Sequence, residues 1–293
     1  MNLSLRKSTF PTIALITDFG QRDWYVGSIK GQILKHHAEA RIVDISHQIP
    51  PGDIWAASYV LASCLRDFPD GTLFMVVVDP GVGTARKCIL GRIGQATVLC
   101  PNNGILSHCL HEYANQQGPF FEIVPDMDPK SPISATFHGR DVFAPVVGKI
   151  AAGTLHPDGL GPIVHDLVVL PISKAELKPG SIHGTVQYVD HFGNAITNIC
   201  QSELRLLRFK PGACVQVHQT LIPLRSTFGE VEEGQPLTYI GSNGFLEVAV
   251  NRGSAARQLK LKAGQQVTLH LDEVGEGVGS PVTGNPEATP HDR

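Results

Sequence analysis

Through the first half of the chain, short unbroken apolar runs alternate with stretches in which apolar positions recur every three or four residues. TIALIT (Thr12–Thr17) and TLFMVVV (Thr72–Val78) are apolar throughout, the mark of strands covered on both faces. RIVDI (Arg41–Ile45) predicts a further strand. Between the first two, Val26, Ile29 and Ile33 share one face of a helix. Pro50-Pro51-Gly52 interrupts the chain, and Asp53 is placed to cap a helix burying Ile54, Ala57, Leu61 and Leu65. A strand or hairpin over Cys88–Cys100, a helix after Asn103 and a helix over Asp141–Ala152 follow. This order predicts an α/β layered domain with a largely parallel sheet.

The texture changes near Gly159–Ser181, where Gly, Pro and mixed polar residues break any long period. Beyond it HGTVQYV, AITNI, ACVQVH, LTYIG, FLEVAV and QVTLHL alternate in short segments. They predict a smaller antiparallel β-barrel or sandwich. The tail from Gly275 has little to bury and is expected to be disordered. The expected boundaries are 1–170 for the α/β domain, 171–180 for a linker, 181–274 for the β domain and 275–293 for the tail.

Composition narrows the function classes. The formal net charge is −3 with no strong Lys/Arg run, which argues against a nucleic-acid partner. No window approaches the roughly 20 apolar residues of a membrane span, so no membrane partner is expected. MNLSLRKSTFPT lacks the apolar core of a secretory signal. Six scattered cysteines without a C-x-x-C pair read as free, mostly buried thiols in a reducing compartment. The expectation is a cytoplasmic protein with a small-molecule substrate. Among thirteen histidines the closest cluster is His108, Cys109 and His111, with no carboxylate or second cysteine at ligand spacing. No metal is expected.

Ligands of open α/β sheets bind outside the carboxyl ends of the strands. TDFGQRD, DPGVGTAR and PNNG (Pro101–Gly104) fall at such ends. Singly, each reads as turn chemistry; together, two of them with an Asp directly after an apolar strand, they read as a site. DPGVGTAR lacks the G-K-[ST] ending of a phosphate loop, and G-x-G-x-x-G is absent. It offers Asp79 and Arg86 at the two ends of a Gly-rich turn, where a carboxylate and a guanidinium can pair. His138, in TFHGRDVF, is an acid/base candidate.

TDFG-x-x-D, VVDPGVGT-x-R, PNNG, TFHGRD-x-F-AP, VDHFGNAITNI and GSNGFLEVAV occur in this order. Over roughly Thr12 to Leu271 the chain resembles the S-adenosylmethionine hydroxide adenosyltransferases, hydrolases related to the fluorinase and chlorinase. The resemblance implies hydrolysis of S-adenosyl-L-methionine, with its unwanted sulfonium epimer as the alternative substrate, to adenosine and L-methionine, without a cofactor. It also implies a homotrimer with active sites between the N-terminal domain of one subunit and the C-terminal domain of the next. Asp79, Arg86 and His138 match the catalytic triad that marks the hydrolases, with Asp79 and His138 standing where the halogenases carry tyrosines. Asp18 would hold the ribose hydroxyls, Asp190 and Ser242 the methionine end, and Asn194 the adenine. Phe228 would stack on the adenine, which backbone from Val250 to Arg252 would approach. Asp23 and Glu247 fall on motif positions of the same substrate site. Gly139 stands where the fluorinase has its fluoride-contacting Ser, as in the chlorinase. Two aromatic positions near the fluorinase nucleoside are Gly52 and Ile196 here.

The implied reaction is an in-line displacement at C5′. The sulfonium departs as a neutral thioether, so no general acid is needed. The difficulty is the nucleophile. A charge ~4 Å away at an effective dielectric of ~20 is worth about 4 kcal/mol, or roughly 3 pKa units. Arg86 and the sulfonium together would bring water from 15.7 to about 9–10, short of the ~7 that zinc achieves. A base must contribute, and His138, oriented by Asp79, is the candidate. Three other readings compete. Asp79 and His138 argue against a halogenase; a non-catalytic S-adenosylmethionine or nucleoside binder would keep Asp18 and Asn194 with an idle triad; and the histidines admit a metal-dependent hydrolase.

Overall fold

A computed structural model of the chain describes residues 11–124, 132–158, 160–206 and 213–270. The tail expected from 275 lies outside the described residues. Two compact units divide the chain, Met1–Ser173 and Lys174–Arg293.

In the first unit, β1 (Ile13–Thr17) is buried along its whole length. Its unbroken apolar run is thereby explained, because layers cover it on both faces. Then come α1 (Tyr25–His36), β2 (Ile42–Ser46), α2 (Ile54–Cys64), β3 (Leu73–Val77), β4 (Cys88–Ile93), β5 (Ala96–Pro101), α3 (Ser107–Glu112) and β6 (Gln117–Glu122). Asp53 caps α2 as the sequence predicts, accepting a 2.9 Å hydrogen bond from the Ala56 N–H. Such caps contribute about 1 kcal/mol. Ala57, Leu61 and Leu65 are buried.

Among the described residues the sheet runs in the order β2-β1-β3-β5-β4-β6. Neighbours from β2 to β5 are parallel, while β4 runs against both β5 and β6. The sheet is mixed because β4 and β5 form a hairpin, the alternative left open for Cys88–Cys100. The β6 strand was not anticipated; QGPFFE carries a proline and too few apolar residues to announce itself. Ile13, Leu15, Met75 and Val77 build one core with Ile29 and Ile33 of α1.

The helix expected over Asp141–Ala152 begins earlier and in another form. Gly139–Phe143 is a π-helical turn, and α4 (Ala144–Ala151) continues from it. The Ala144 N–H reaches the Gly139 carbonyl, five residues back. Phe143 and Val147 join the same core.

The second unit holds β7 (Glu176–Lys178), β8 (Ser181–Val189), β9 (Ala195–Cys200), α5 (Gln201–Leu206), β10 (Cys214–Val217), β11 (Thr220–Pro223), β12 (Pro236–Ile240), β13 (Phe245–Val250), α6 (Ala255–Gln258) and β14 (Gln266–His270). The short β7 lies inside the segment expected as a linker and pairs with β8. The remaining strands follow the order β11-β10-β14-β8-β9-β13-β12. Its ends meet where the Arg225 N–H donates to the Thr238 carbonyl at 2.8 Å, giving a nearly closed antiparallel barrel. Val215, Val248, Val267 and Leu269 fill it.

Candidate active site

β1 and β3 are parallel neighbours in register, with Thr17 beside Val77. Asp18, next after Thr17, and Asp79, two residues after Val77, therefore emerge together at the carboxyl edge of the sheet. Between them opens a cavity of about 760 Å³, also lined by Phe19, Trp24, Tyr25, Gly52, Phe137 and His138.

The DPGVGT turn approaches the loop before His138 at Gly83. This residue has φ +78°, and a Cβ there would overlap the Ala135 carbonyl oxygen. The glycine serves loop-to-loop contact, not a phosphate cradle. With the loops docked, Asp79, Arg86 and His138 come together. Arg86 donates to Asp79 Oδ2 from both Nε (2.8 Å) and Nη2, to His138 Nδ1 from Nη2 (2.8 Å) and to Cys88 Sγ from Nη1 (2.9 Å). The Asp79 and Arg86 side chains are 5% and 10% exposed.

The pair has a particular geometry, and one detail departs from the sequence expectation. The guanidinium does not grip both carboxylate oxygens; two donors converge on Oδ2, and Oδ1 is buried with no hydrogen-bond partner among the described residues. His138 is oriented by Arg86 rather than by Asp79. Arg86 is also absent from the cavity lining, where Asp79 and His138 appear. It joins the two from behind.

Burial lowers the pKa of His138 and the Arg86 charge lowers it further, against the opposing pull of Asp79 and Asp141. The ring is therefore neutral near pH 7. Burial raises the carboxyl pKa of Asp18, the Gly52 N–H (2.8 Å to Oδ2) lowers it, and Asp79 adds to the rise. Beneath Asp18, Thr17 Oγ1 lies 2.8 Å from His47 Nδ1 and Asp44 Oδ1 lies 3.1 Å from His47 Nε2. The Gly20 N–H binds the His47 carbonyl. This network holds the TDFG loop on the sheet.

Asp18 thus shares the cavity with Asp79 and His138. Asp23 is exposed and does not line it. Sequence reasoning missed its aromatic wall. Trp24 stacks on Tyr25 at 4.6 Å between centroids, and Phe137 meets Phe19, Trp24 and Tyr25 edge-on within 5.8 Å. The available signal was adjacency, since Phe19 follows Asp18 and Phe137 precedes His138.

The other residues carried over by resemblance lie on the second unit. Asp190 takes the Asn194 N–H and side-chain amide on its two oxygens, at 2.8 and 2.9 Å. Glu247 accepts a 2.6 Å hydrogen bond from Tyr239, whose ring lies 5.0 Å from that of Phe228. Burial raises the Glu247 carboxyl, with Asp190 adding to the rise. Ser242 is exposed on the turn between β12 and β13, and Val250 is buried at the end of β13. Arg252 has φ +52° and pairs with Glu233 at 3.1 Å. Ile196 is buried in β9.

Elsewhere, His108 hydrogen-bonds Ser58 at 2.9 Å, and burial brings its pKa down to about 4. All six cysteines are free. Among the described residues, no helix is long and apolar enough to cross a membrane.

Comparison with known proteins agrees with this layout. Residues 13–161 match the SAM hydroxide adenosyltransferase N-terminal domain, and residues 184–268 match the C-terminal domain. An (R)-S-adenosyl-L-methionine hydrolase of Thermus thermophilus is 41% identical over 88% of this chain and 98% of its own. A fluorinase of an Actinoplanes species is 28% identical over 88% of this chain and 97% of its own. A crystal structure of an uncharacterized conserved protein from Thermotoga maritima superposes with a TM-score of 0.81 at 35% identity, covering 88% of this chain and all of that one.

Proposed function

The chain belongs to the SAM hydroxide adenosyltransferase family, and we propose that it hydrolyses S-adenosyl-L-methionine to adenosine and L-methionine. The observation that carries the reading is the Asp79–Arg86–His138 assembly at the cavity wall. Four relatives at 30–41% identity are named (R)-S-adenosyl-L-methionine hydrolase, which supports a reading in which the R sulfonium epimer is the preferred substrate.

In this reading water attacks C5′ and the C5′–sulfur bond electrons leave with sulfur as a neutral thioether. Asp18 holds the ribose, and Phe19, Trp24, Tyr25 and Phe137 supply an apolar side to the cavity. Arg86 activates the water less than its charge alone would. Asp79 bears the opposite charge beside it, so most of the ~4 kcal/mol available from a lone cation at ~4 Å is cancelled. Proton removal must do more. The reaction needs no metal and no cofactor. Asp23, Asp190, Asn194, Phe228, Ser242, Glu247, Val250 and Arg252 complete the substrate site in a homotrimer, with each site built from two subunits of a cytoplasmic enzyme.

Incubation with each S-adenosylmethionine epimer, followed by chromatography, tests the proposal. Adenosine and methionine should appear in equal amounts, faster from the R epimer. Binding without adenosine would make the protein a non-catalytic binder.

A further inference from the structure

We infer that His47 is a positioning residue for the substrate site: with Thr17 and Asp44 it forms a polar relay of fixed direction that sets the loop carrying Asp18, and with it the affinity for the nucleoside. The inference deepens the hydrolytic reading above and rests on its assignment of Asp18 to the ribose.

The relay exists because β2 is irregular. Leu15 of β1 pairs with Asp44, but the next residue, Ile16, pairs with Ser46. Ile45 is thus the extra residue of a β-bulge, a device that re-aims side chains and is common beside active sites. In a regular strand successive side chains alternate, and residues 44 and 47 would point to opposite faces. Here they meet, with Asp44 Oδ1 3.1 Å from His47 Nε2. His47 and Thr17 are each 1% exposed, whereas the Asp44 side chain is 36% exposed and accepts from Lys30 Nζ at 2.6 Å. Burial works to raise the Asp44 carboxyl pKa, and hydrogen bonds from Lys30 and His47 bring it below its usual value.

Counting donors gives the direction of each contact. A carboxylate only accepts, so His47 Nε2 carries a hydrogen. Thr17 Oγ1, 2.8 Å from His47 Nδ1, already accepts the Phe19 N–H at 3.3 Å. The hydroxyl hydrogen is therefore directed at Nδ1, which presents its lone pair. Two backbone donors repeat the grip. The Gly20 N–H reaches the His47 carbonyl at 2.7 Å, and the Gly52 N–H reaches Asp18 Oδ2 at 2.8 Å. Thr17, Asp18 and Gly20 are thus all tied to the segment between β2 and α2. Neither Thr17, His47 nor Asp44 lines the cavity, so their effect on a ligand passes through Asp18 and Phe19, which do.

Affinity, turnover and stability measured together test this. Thr17→Val removes the hydroxyl and keeps the shape. Its calorimetric dissociation constant for adenosine should rise roughly 3–10-fold, the worth of one hydrogen bond. KM should rise alike, with kcat within about twofold, and Thr17→Ser should restore the wild-type values. Asp44→Ala, at a partly exposed position, should weaken adenosine about threefold. Lys30→Met should not, because an exposed ion pair contributes little. Two-bond ¹H–¹⁵N spectra in mildly alkaline buffer, with His47→Gln to assign the ring, should show Nε2 protonated and Nδ1 bare. Unchanged adenosine affinity in a folded Thr17→Val overturns the positioning role, as does a fall in Tm or kcat with affinity intact. Should Thr17→Val fail to fold, Asp44→Ala decides by the same criterion. Equal effects of Lys30→Met and Asp44→Ala would trace the change to surface charge and overturn the relay, and a proton on Nδ1 overturns its direction. A wild-type protein that binds adenosine without forming it rejects hydrolysis alone, since the relay is read from affinity; one that binds no adenosine rejects both.

Discussion

Arg86→Lys isolates geometry from charge. In the native site the guanidinium contacts Asp79, His138 and Cys88 at once. An ammonium on a flexible stem is a point donor that cannot reproduce the planar fork. It can keep one charge-assisted bond to Asp79 Oδ2, and then His138 Nδ1 loses its donor. A hydrogen bond to a charged group is worth about 1.5–3 kcal/mol. At ~1.36 kcal/mol per decade, a misplaced His138 lowers kcat by roughly 10–150-fold. Because Arg86 does not line the cavity, KM should stay within about threefold. Arg86→Met supplies the control. It leaves Asp79, 5% exposed, as an unpaired buried charge, which costs about 3–5 kcal/mol. At ~2–4 °C per kcal/mol for a unit of this size, its Tm should fall by roughly 6–20 °C. The Lys variant should unfold near the wild-type temperature. Adenosine release measured by chromatography, alongside calorimetric Tm values, gives all three quantities. Wild-type kcat in a correctly folded Lys variant would refute the oriented-guanidinium argument.

Asp18→Ala should raise KM more than it lowers kcat, because a ribose clamp holds ground and transition states alike; unchanged nucleoside affinity by titration removes Asp18 from the site. His108 should make the protein acid-sensitive: the unfolded chain binds this proton near pH 6.5 and the fold only near pH 4, so its contribution is intact above 6.5 and is lost as the pH falls toward about 4. Roughly 3 kcal/mol is at stake, and His108→Gln should flatten the slope of denaturant-derived stability over that window; an unchanged slope places the sensitivity elsewhere. A chelator should leave turnover intact, and loss restored by one metal would reject the metal-free reaction. Mixing inactive His138→Ala and Asp190→Ala proteins should recover activity once subunits exchange, whereas none despite demonstrated exchange would show sites built within single chains.

Periodicity and capping reveal what depends on local pattern. The buried β1 and β3, the Asp53 cap and the β-rich second unit all follow from residues that act within a few positions of one another. Strand β6 was hidden because its pairing with β4 compensates for weak propensity, and only tertiary context supplies that. Similarly, the motifs placed Asp79, Arg86 and His138 in one site, and the structure brings them within hydrogen-bonding distance. The polarity inside the triad was not legible. It depends on which nitrogen meets Arg86 across 52 residues of chain, and no spacing rule encodes that. The aromatic wall stayed hidden for the opposite reason, since Phe19 and Phe137 read as ordinary core residues until the cavity exists.

The wide turn at Gly139–Phe143 sets the phase between chemistry and packing. An α-helix advances about 100° per residue, and a π-turn carries one residue more than an α-turn would. That residue lets His138 meet Arg86 while Phe143 and Val147, further along, face the core. Trimming one residue from the turn would restore a regular helix and rotate one set against the other by about 100°. Either the imidazole would swing away from the guanidinium, or the apolar stripe would turn off the sheet. This segment should therefore accept no change in length, a constraint on shuffling or loop grafting that no single side chain announces.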